Sequence, residues 1–193
     1  MVLTKNELRI FSKFRPFHVY AGNDLKGTSN NALTIALKRF KEYDLIQEKQ
    51  LGRSKVYRLN LENPLTITLL EMNNLLSLSI PLNLILKDLT PFTTVAVFGS
   101  YASGTQKKES DLDIVILSNS NTKAIKNTMN RNRLTIPMDA HVFTPAQFME
   151  MLEGKEENLG KQIMRNHKAV HNSSIFYEIV KDATRNIFDE GFE

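Results

Sequence analysis

The sequence contains no cysteine and no apolar run as long as a membrane span. Without cysteine the chain can form neither a disulfide bond nor a thiolate metal site, which fits a reducing compartment. The most apolar candidate, residues 75–86, is interrupted by serine, proline and asparagine and falls short of the roughly 18 residues that a span requires. The first residues also lack the apolar core of a secretion signal. We therefore expect a cytoplasmic protein without a membrane partner.

Charge is distributed unevenly along a chain of ordinary composition. Hydrophobic residues make up 41% and charged residues 24% of the 193 residues, as in soluble globular proteins of one medium domain or two small ones. Residues 1–60 hold twelve Lys/Arg against five Asp/Glu, whereas the remainder is net acidic although the whole chain carries +4. This asymmetry predicts a basic module that binds polyanions, joined to a second part of the chain that has a different function.

The first 43 residues have the pattern of two helices. Thr4 and Glu7 have capping-box spacing, and an apolar stripe that reaches Phe14 continues the predicted first helix until Pro16. Residues 17–25 fit either a helix or a strand, and both interpretations stay open. Ser29 or Asn30 can cap the second helix. Its core-facing residues are predicted to be Leu33, Ala36, Leu37 and Phe40.

A hairpin with a basic tip follows, since residues 45–49 and 56–59 predict strands around a turn at residues 52–54. The order helix, short element, helix, hairpin resembles the winged helix-turn-helix modules of archaeal and bacterial regulators, and we assign it to residues 1–62. Such a module would lay its second helix in the DNA major groove. Asn31, Thr34 and Lys38 would then face bases, while Lys41, Arg53 and Lys55 would face phosphates. The same charged face would equally suit a protein contact or a homodimer.

The stretch of residues 95–117 predicts a site for a phosphate and a metal ion. Two apolar strands flank a polar connection that contains Gly99, Ser100, Asp111 and Asp113. Residues i and i+2 of a strand share a face, so the two carboxylates can converge, and hard divalent cations prefer such oxygen ligands. A pair of Mg²⁺ ions about 3.5–4 Å apart is a known solution for nucleotidyl displacement. Gly99 would let the backbone approach a phosphate to which Ser100 donates.

The spacing of these residues is specific: Gly99 and Ser100, ten further residues, then Asp111-x-Asp113 with Ser110 ahead of the first aspartate. It resembles the signature of the minimal nucleotidyltransferases within the polymerase-beta-type superfamily. The resemblance implies a small mixed β-sheet flanked by helices, an α/β (α+β) fold, over residues 63–193.

The resemblance also implies roles for individual residues. Asp111, Asp113 and a third carboxylate, Asp139, would bind two Mg²⁺ ions and carry out catalysis. The nucleotide triphosphate would be held by Gly99, Ser100 and Ser110.

The sequence departs from the family pattern in one place. Relatives often carry arginine at the position of Ser103, and Lys107 or Lys108 could replace that charge or simply be solvated. His141 follows Asp139 by two residues, so it could line the site or be a core or rim residue. His167 and His171 are four apart and would meet on a helix face, where a structural role is expected.

The remaining chain predicts supporting elements. Residues 65–89 predict two helical pieces, residues 123–133 a surface helix with a loop, and residues 138–144 a third strand. Pro145 suits the first position of a helix. Residues from about 159 onwards predict a final helical region, with Ile163, Val170 and residues 175–180 in the core.

These features predict a transferase that moves NMP, most simply AMP from ATP, to a hydroxyl with release of pyrophosphate. Relatives modify proteins, RNA ends or small molecules, and some are antitoxins that adenylylate a partner toxin. A different class also fits: a DNA-binding regulator whose nucleotidyltransferase-like body senses nucleotide or binds a partner. A third alternative is an N-terminal module that docks a protein substrate.

Overall fold

The computed structural model describes residues 3–25, 27, 29–78, 80, 82, 86, 89, 93–120, 122–130 and 136–188. The chain divides into two compact units, the first reaching Leu70 and the second spanning Glu71–Ile187. Across the described residues, no helix combines the length and apolarity needed to cross a bilayer.

Up to Leu59, the described part of the first unit contains two α-helices and a three-stranded antiparallel sheet, and the start of a third helix at Pro64 also belongs to it. In chain order its elements are α1 (Lys5–Phe11), β1 (Tyr20–Ala21), a 3₁₀-helix (Gly22–Asp24), α2 (Asn30–Glu42), β2 (Ile46–Leu51) and β3 (Ser54–Leu59). The strand order is β1-β3-β2, so β3 of the hairpin is the central strand. The segment that fitted both helix and strand contains one short element of each kind.

Local sequence accounts for where these helices begin. The Thr4 N–H donates to the Glu7 carboxylate at 2.7 Å and the Glu7 N–H donates to the Thr4 hydroxyl at 3.3 Å, so the predicted capping box is confirmed. Ser29 caps α2 through its hydroxyl, which accepts from the Ala32 N–H at 3.3 Å. The first helix is shorter than predicted, because it ends at Phe11 and leaves Phe14 in the following turn.

Aromatic packing closes the core of the first unit. Phe11 of α1 meets Phe40 of α2 edge to face at 5.8 Å, and Phe14 is buried beside them. Leu33 of the predicted stripe is only half-buried, whereas Ala36 is fully buried. The stripe therefore packs α2 on α1 much as its 3.6-residue period predicts.

The second unit is a mixed sheet flanked by helices, as predicted. Its elements are the latter part of α3 (Pro64–Leu78), β4 (Thr94–Phe98), α4 (Gly99–Ser103), β5 (Leu112–Leu117), α5 (Thr122–Asn130), β6 (Met138–Phe143), α6 (Pro145–Glu153), α7 (Leu159–Arg165), β7 (His167–His171) and α8 (Ser173–Phe188). The strand order is β6-β5-β4-β7; β5 and β6 are parallel and the other pairs antiparallel.

Both faces of this sheet are covered, which explains why its central strands are apolar runs. One face carries a cluster that includes Val97 of β4, Ile114 of β5 and Met129 of α5. On the other face, Phe176 of α8 contacts the His167 ring of β7 at 4.8 Å. All five residues of β4 are buried. Burial on two sides removes the alternation that a half-exposed strand would show.

The C-terminal region, the segment before β4 and the start of α6 were each predicted from the sequence. The final region is not entirely helical, because Val170 lies in strand β7, and His167 and His171 stand at its two ends instead of on a helix face. Helix α3 is the first of the two pieces expected in residues 65–89, and most of the second piece lies outside the described residues, as do residues 131–133. Pro145 begins α6 behind a Thr144 cap, as predicted.

Candidate active site

The site lies at one edge of the mixed sheet, where four strand ends meet. Strands β4 and β5 are antiparallel, so Phe98 at the end of β4 lies near Asp113 at the start of β5. Strand β6 runs parallel to β5, which brings its start to the same edge. Strand β7 pairs Phe98 with His167 and therefore also begins there. The topology thus gathers segments that are up to 70 residues apart in sequence.

Two of the three predicted carboxylates are partners across adjacent strands. Asp113 of β5 is in register with Asp139 of β6. Burial of Asp113, and then the negative charge of Asp139, raise the pKa of Asp113, while His141 acts in the opposite direction and Asp111 adds to the increase. The side chain of Asp139 itself is 62% exposed. Negative charge therefore accumulates where the sequence predicted a cation.

Gly99 is required by its contact with Asp113. Its φ of +64° lies in the left-handed region, and a Cβ built on it would overlap the Asp113 carboxylate. The Gly99 carbonyl accepts from the Ser103 hydroxyl at 3.0 Å and from the Asn166 amide at 3.4 Å. The backbone between β4 and α4 consequently lies directly against the Asp113 carboxylate, and a side chain at Gly99 would require that carboxylate to shift.

The two serines predicted to bind nucleotide occupy different settings. Ser100 is half-buried in α4, and its carbonyl accepts from the Thr105 N–H at 3.0 Å. Ser110 closes a turn before Asp111, since its hydroxyl accepts from the Lys107 N–H at 2.9 Å. Ser110 thereby shapes the loop that leads to the first aspartate. Phosphate binding by either serine stays a prediction.

Ser103 is turned back onto its own helix. Its hydroxyl contacts the carbonyls of Gly99 and Ser100 at 3.0 and 3.1 Å, and it lies 2.9 Å from the Thr105 hydroxyl. A short side chain in this position ends α4 instead of reaching outwards. Lys107 and Lys108, the alternative sources of positive charge, are both exposed.

The predicted metal ligands are spread along the edge of the sheet. Within the described part of the chain, no group of three or more histidine, aspartate and glutamate side chains is placed to hold a metal ion. Asp111 precedes β5 and is exposed. The convergence of Asp111, Asp113 and Asp139 on Mg²⁺ therefore stays a prediction, although its donor atoms are all oxygens of the kind that Mg²⁺ prefers.

The six residues predicted to contact nucleic acid are all exposed: Asn31, Thr34, Lys38, Lys41, Arg53 and Lys55. Two of them are engaged by one carboxylate, because Glu48 accepts from Lys41 at 2.9 Å and from Lys55 at 3.2 Å. The hydrogen bond from Lys41 acts most strongly, and together with Lys55 it outweighs burial and lowers the pKa of Glu48. These groups line a cavity of about 370 Å³ between α2 and the hairpin.

Sequence reasoning missed the role of Glu48 and of Asn166. Glu48 alternates with Gln47 and Lys49 in a strand, and nothing in that pattern indicates which lysines it meets. Asn166 ends α7, sixty-seven residues after its partner Gly99. Only the pairing of β7 with β4 brings that amide to the site, and β7 was not predicted.

Comparison with known proteins identifies the second unit. The profile of the nucleotidyltransferase domain matches residues 82–190, more than half of the chain. The protein therefore belongs to the nucleotidyltransferase domain family, which confirms the superfamily predicted from the Gly-Ser and Asp-x-Asp spacing. Among curated proteins, none matches significantly. One solved structure, described as a toxin-antitoxin with AMP-PNP, aligns with 58% of this chain and 95% of its own at 16% identity and a TM-score of 0.31.

Proposed function

We propose that this protein is a Mg²⁺-dependent nucleotidyltransferase that moves NMP, AMP from ATP, to a hydroxyl group and releases pyrophosphate. The observation that supports it is the register pair of Asp113 and Asp139, with the Gly99 backbone against Asp113. This arrangement lies inside the segment that matches the nucleotidyltransferase family. Carboxylates that flank a close backbone approach suit a triphosphate with its metal ions.

The donor chemistry of the site fits Mg²⁺. Asp111, Asp113 and Asp139 would hold two ions, and burial together with the negative charge of Asp139 raises the pKa of Asp113 in a way that a bound cation would offset. When bound, the ions would stabilise the charge that develops on the phosphates.

The chain's own residues would then position and deprotonate the reactants. The Ser100 hydroxyl would donate to the β- and γ-phosphates beside Gly99, and Ser110 would support the same loop. Asp139, which is largely exposed, would accept the proton of the acceptor hydroxyl. A bond forms between the acceptor oxygen and the α-phosphorus, and the bond from that phosphorus to pyrophosphate breaks.

The direct test is transfer from α-labelled ATP, supplied with separate pools of protein, RNA and small-molecule acceptors. Wild-type protein should label one pool and release pyrophosphate, whereas Asp111→Asn/Asp113→Asn should label none. Glu109→Gln is the matched control, because Glu109 is an exposed acid in the same loop. Equal transfer by wild type and the double variant would exclude the proposal. A labelled protein pool would lead to the search for a partner toxin.

We further propose that residues 1–62 form a winged helix-turn-helix that contacts DNA, joined to a nucleotidyltransferase domain at residues 63–193. Support comes from the order α1, β1, 3₁₀-helix, α2, hairpin, from the sheet order β1-β3-β2 and from the excess of basic residues. In this arrangement α2 would enter the major groove and Arg53, at the hairpin tip, would lie near phosphate.

A protein contact is the second candidate for this surface, and one side chain favours it. Ile35 is 52% exposed on α2 between residues predicted to read bases. A docked protein substrate or a second copy of the chain would remove this apolar side chain from water. With DNA as the partner, the enzyme would be tethered to nucleic acid, or the chain would be a regulator whose second unit senses nucleotide.

Binding to duplex DNA across a salt series separates these candidates. DNA binding should weaken steeply with salt and be lost in Lys38→Glu/Arg53→Glu. The matched control, Lys123→Glu/Lys126→Glu, reverses two exposed charges on α5 of the other unit. If the protein binds no DNA even at low salt, DNA is excluded as the partner and a protein contact is the candidate for this surface. DNA binding that survives in Asp111→Asn/Asp113→Asn without any transferase activity in the wild type would favour the regulator.

A further inference from the structure

His141 lies beside the carboxylate that is proposed to accept a proton. We propose that His141 is a positioning residue that holds the Asp139 carboxylate in place for the divalent cation site. This inference rests on the proposed function, since it gives that site a residue beyond the three carboxylates.

Strand geometry places the two side chains together. Asp139 and His141 are separated by one residue in β6 and therefore share a face of the sheet. The His141 Nε2 lies 3.2 Å from the Asp139 Oδ2, within hydrogen-bonding distance. On the neighbouring strand, Asp113 and Val115 are their respective partners. The imidazole thus contacts Asp139 from within the sheet face that also carries Asp113.

The imidazole is itself held by aromatic neighbours. The Phe143 ring is nearly parallel to it, at 10° and 6.4 Å between centroids, and the Phe98 ring lies 5.7 Å away at a tilt of 52°. Phe98 is buried and ends the strand that leads into Gly99. A ring packed in this way has few orientations, so its nitrogen is a fixed point for the carboxylate.

Asp139 needs such support because its own surroundings restrict it little. Its side chain is 62% exposed, against 31% for His141. An exposed aspartate rotates freely, and ordering it for metal binding costs conformational entropy. A hydrogen bond from the packed imidazole would order the carboxylate before the cation binds, so that less conformational entropy is lost on binding. Residues that hydrogen-bond to metal ligands typically change metal affinity or activity by about 10–100-fold when they are removed.

A direct ligand role for His141 fits the structure less well. The His141 Nε2 lies 3.2 Å from the Asp139 Oδ2, and in the tautomer with a proton on Nε2 its N–H would donate to that carboxylate. The geometry therefore favours a role exerted through Asp139.

The test measures binding of Mn²⁺ alone, as a Mg²⁺ substitute, by calorimetry and electron paramagnetic resonance. His141→Ala should weaken Mn²⁺ binding about tenfold. His141→Gln, whose amide can donate from a similar position, should stay within about threefold of wild type. His171→Ala is the matched control, because His171 is a half-buried histidine at the opposite end of the same sheet. It should leave the Mn²⁺ affinity unchanged.

Transferase assays give a second readout. His141→Ala should lower kcat with little change in KM for ATP, and His141→Gln should restore most of the rate. Unchanged Mn²⁺ affinity in His141→Ala, no Mn²⁺ binding by wild type, or an equal loss in His171→Ala would each overturn the inference.

The outcomes also distinguish this inference from the proposed function. If wild type transfers no nucleotide but Mn²⁺ binding still depends on His141, the proposed reaction fails and the positioning role stands. If wild type transfers nucleotide and His141→Ala does so equally well, only the positioning role fails. Should His141→Ala not fold, His141→Phe keeps the aromatic packing, removes the nitrogen and serves the same comparison.

Discussion

The hairpin region of the first unit and the carboxylate site of the second unit arrange their charged residues in opposite ways. In the first unit, acids are matched with bases: Glu7 binds Arg39 at 2.9 Å, and Glu48 binds both Lys41 and Lys55. In the second unit, Asp113 and Asp139 face one another across adjacent strands, with Asp111 nearby. Like charges gather in one region and opposite charges compensate in the other.

The direction of the pKa shifts expresses this difference. The pKa of Glu48 is lowered, chiefly by the hydrogen bond from Lys41, whereas burial and the charge of Asp139 raise the pKa of Asp113. A compensated charge is satisfied within the fold. A buried carboxylate beside like charges has a disfavoured charged form, which a proton or a cation from outside can relieve, and such perturbed groups are typical of functional sites.

The largest effect is expected from a side chain at Gly99. Gly99→Ala should lower transferase activity by about 100-fold or more, because its Cβ would displace the Asp113 carboxylate, and misplacement by about 1 Å can cost that much. Gly104→Ala is the control: it has a similar φ of +72° but open space around it. That variant should lose only about 1–2 kcal/mol of unfolding free energy. Equal activity losses in both would show that backbone strain, not the contact, is responsible.

The buried acid of the first unit should give the next largest effect. Burial opposes the charge of Glu7, but hydrogen bonds from Thr4 and the Arg39 charge outweigh it, so the pKa lies below its ordinary 4.5. A lowered pKa stabilises the fold above the unfolded value, and that stability is lost as pH falls through the folded value. At pH 7, Glu7→Gln should lower the unfolding free energy by about 1–3 kcal/mol.

The pH dependence of this difference supplies the check. Hydrogen exchange of α1 and α2 amides should show the gap between wild type and Glu7→Gln closing below about pH 4.5. Glu42→Gln, an exposed acid of the same unit, is the control and should show no such gap. A gap that persists unchanged at low pH would contradict the charged hydrogen-bond network.

Releasing the paired lysines should strengthen DNA binding if the proposed winged helix is correct. Glu48→Gln frees Lys41 and Lys55, and two further phosphate contacts would steepen the salt dependence of the binding constant by up to about 1.8 logarithmic units per decade. Glu42→Gln removes a charge from the same cavity without breaking those pairs. If the binding constants of the two variants depend on salt with the same slope, the ion pairs of Glu48 with Lys41 and Lys55 do not keep these lysines from phosphate.

The smallest effect concerns stability, and its sign matters more than its size. In chelator-treated protein, Asp113→Asn should raise the unfolding free energy by up to about 1 kcal/mol, because it removes a charge that the folded state disfavours. Glu48→Gln should lower it by about 0.2–1 kcal/mol, since it breaks partly exposed ion pairs. Chemical denaturation measures both. Changes of the same sign would remove the contrast between the units.

Several features could be read from short stretches of the chain. The Thr4–Glu7 capping box and Pro145 at the start of α6 were predicted correctly, and the cap of α2 is Ser29, one of the two residues predicted for it, because each feature depends on residues within one helical turn. The nucleotidyltransferase family followed from the spacing of Gly99, Ser100 and the two aspartates.

Other features depend on long-range pairing and were missed. Strand β7 was predicted as part of a helical region, because the strand is only five residues long and mixes polar with apolar side chains. Its strand conformation comes from hydrogen bonding to β4, some seventy residues earlier. The hydrogen bond from Asn166 to Gly99 and the ion pairs of Glu48 with two lysines also depend on such contacts. Neither leaves a local pattern in the sequence.

By itself, the sequence determined the helix starts, the apolar strands and the residues that the chemistry needs, because caps and periodicity act over a few residues. The tertiary structure decided which of those residues meet. The parallel pairing of β5 with β6 places Asp139 beside Asp113, and the left-handed backbone of Gly99 lies against that carboxylate. Strand register and close packing act between distant segments, and this is why the site becomes visible only when the sheet is assembled.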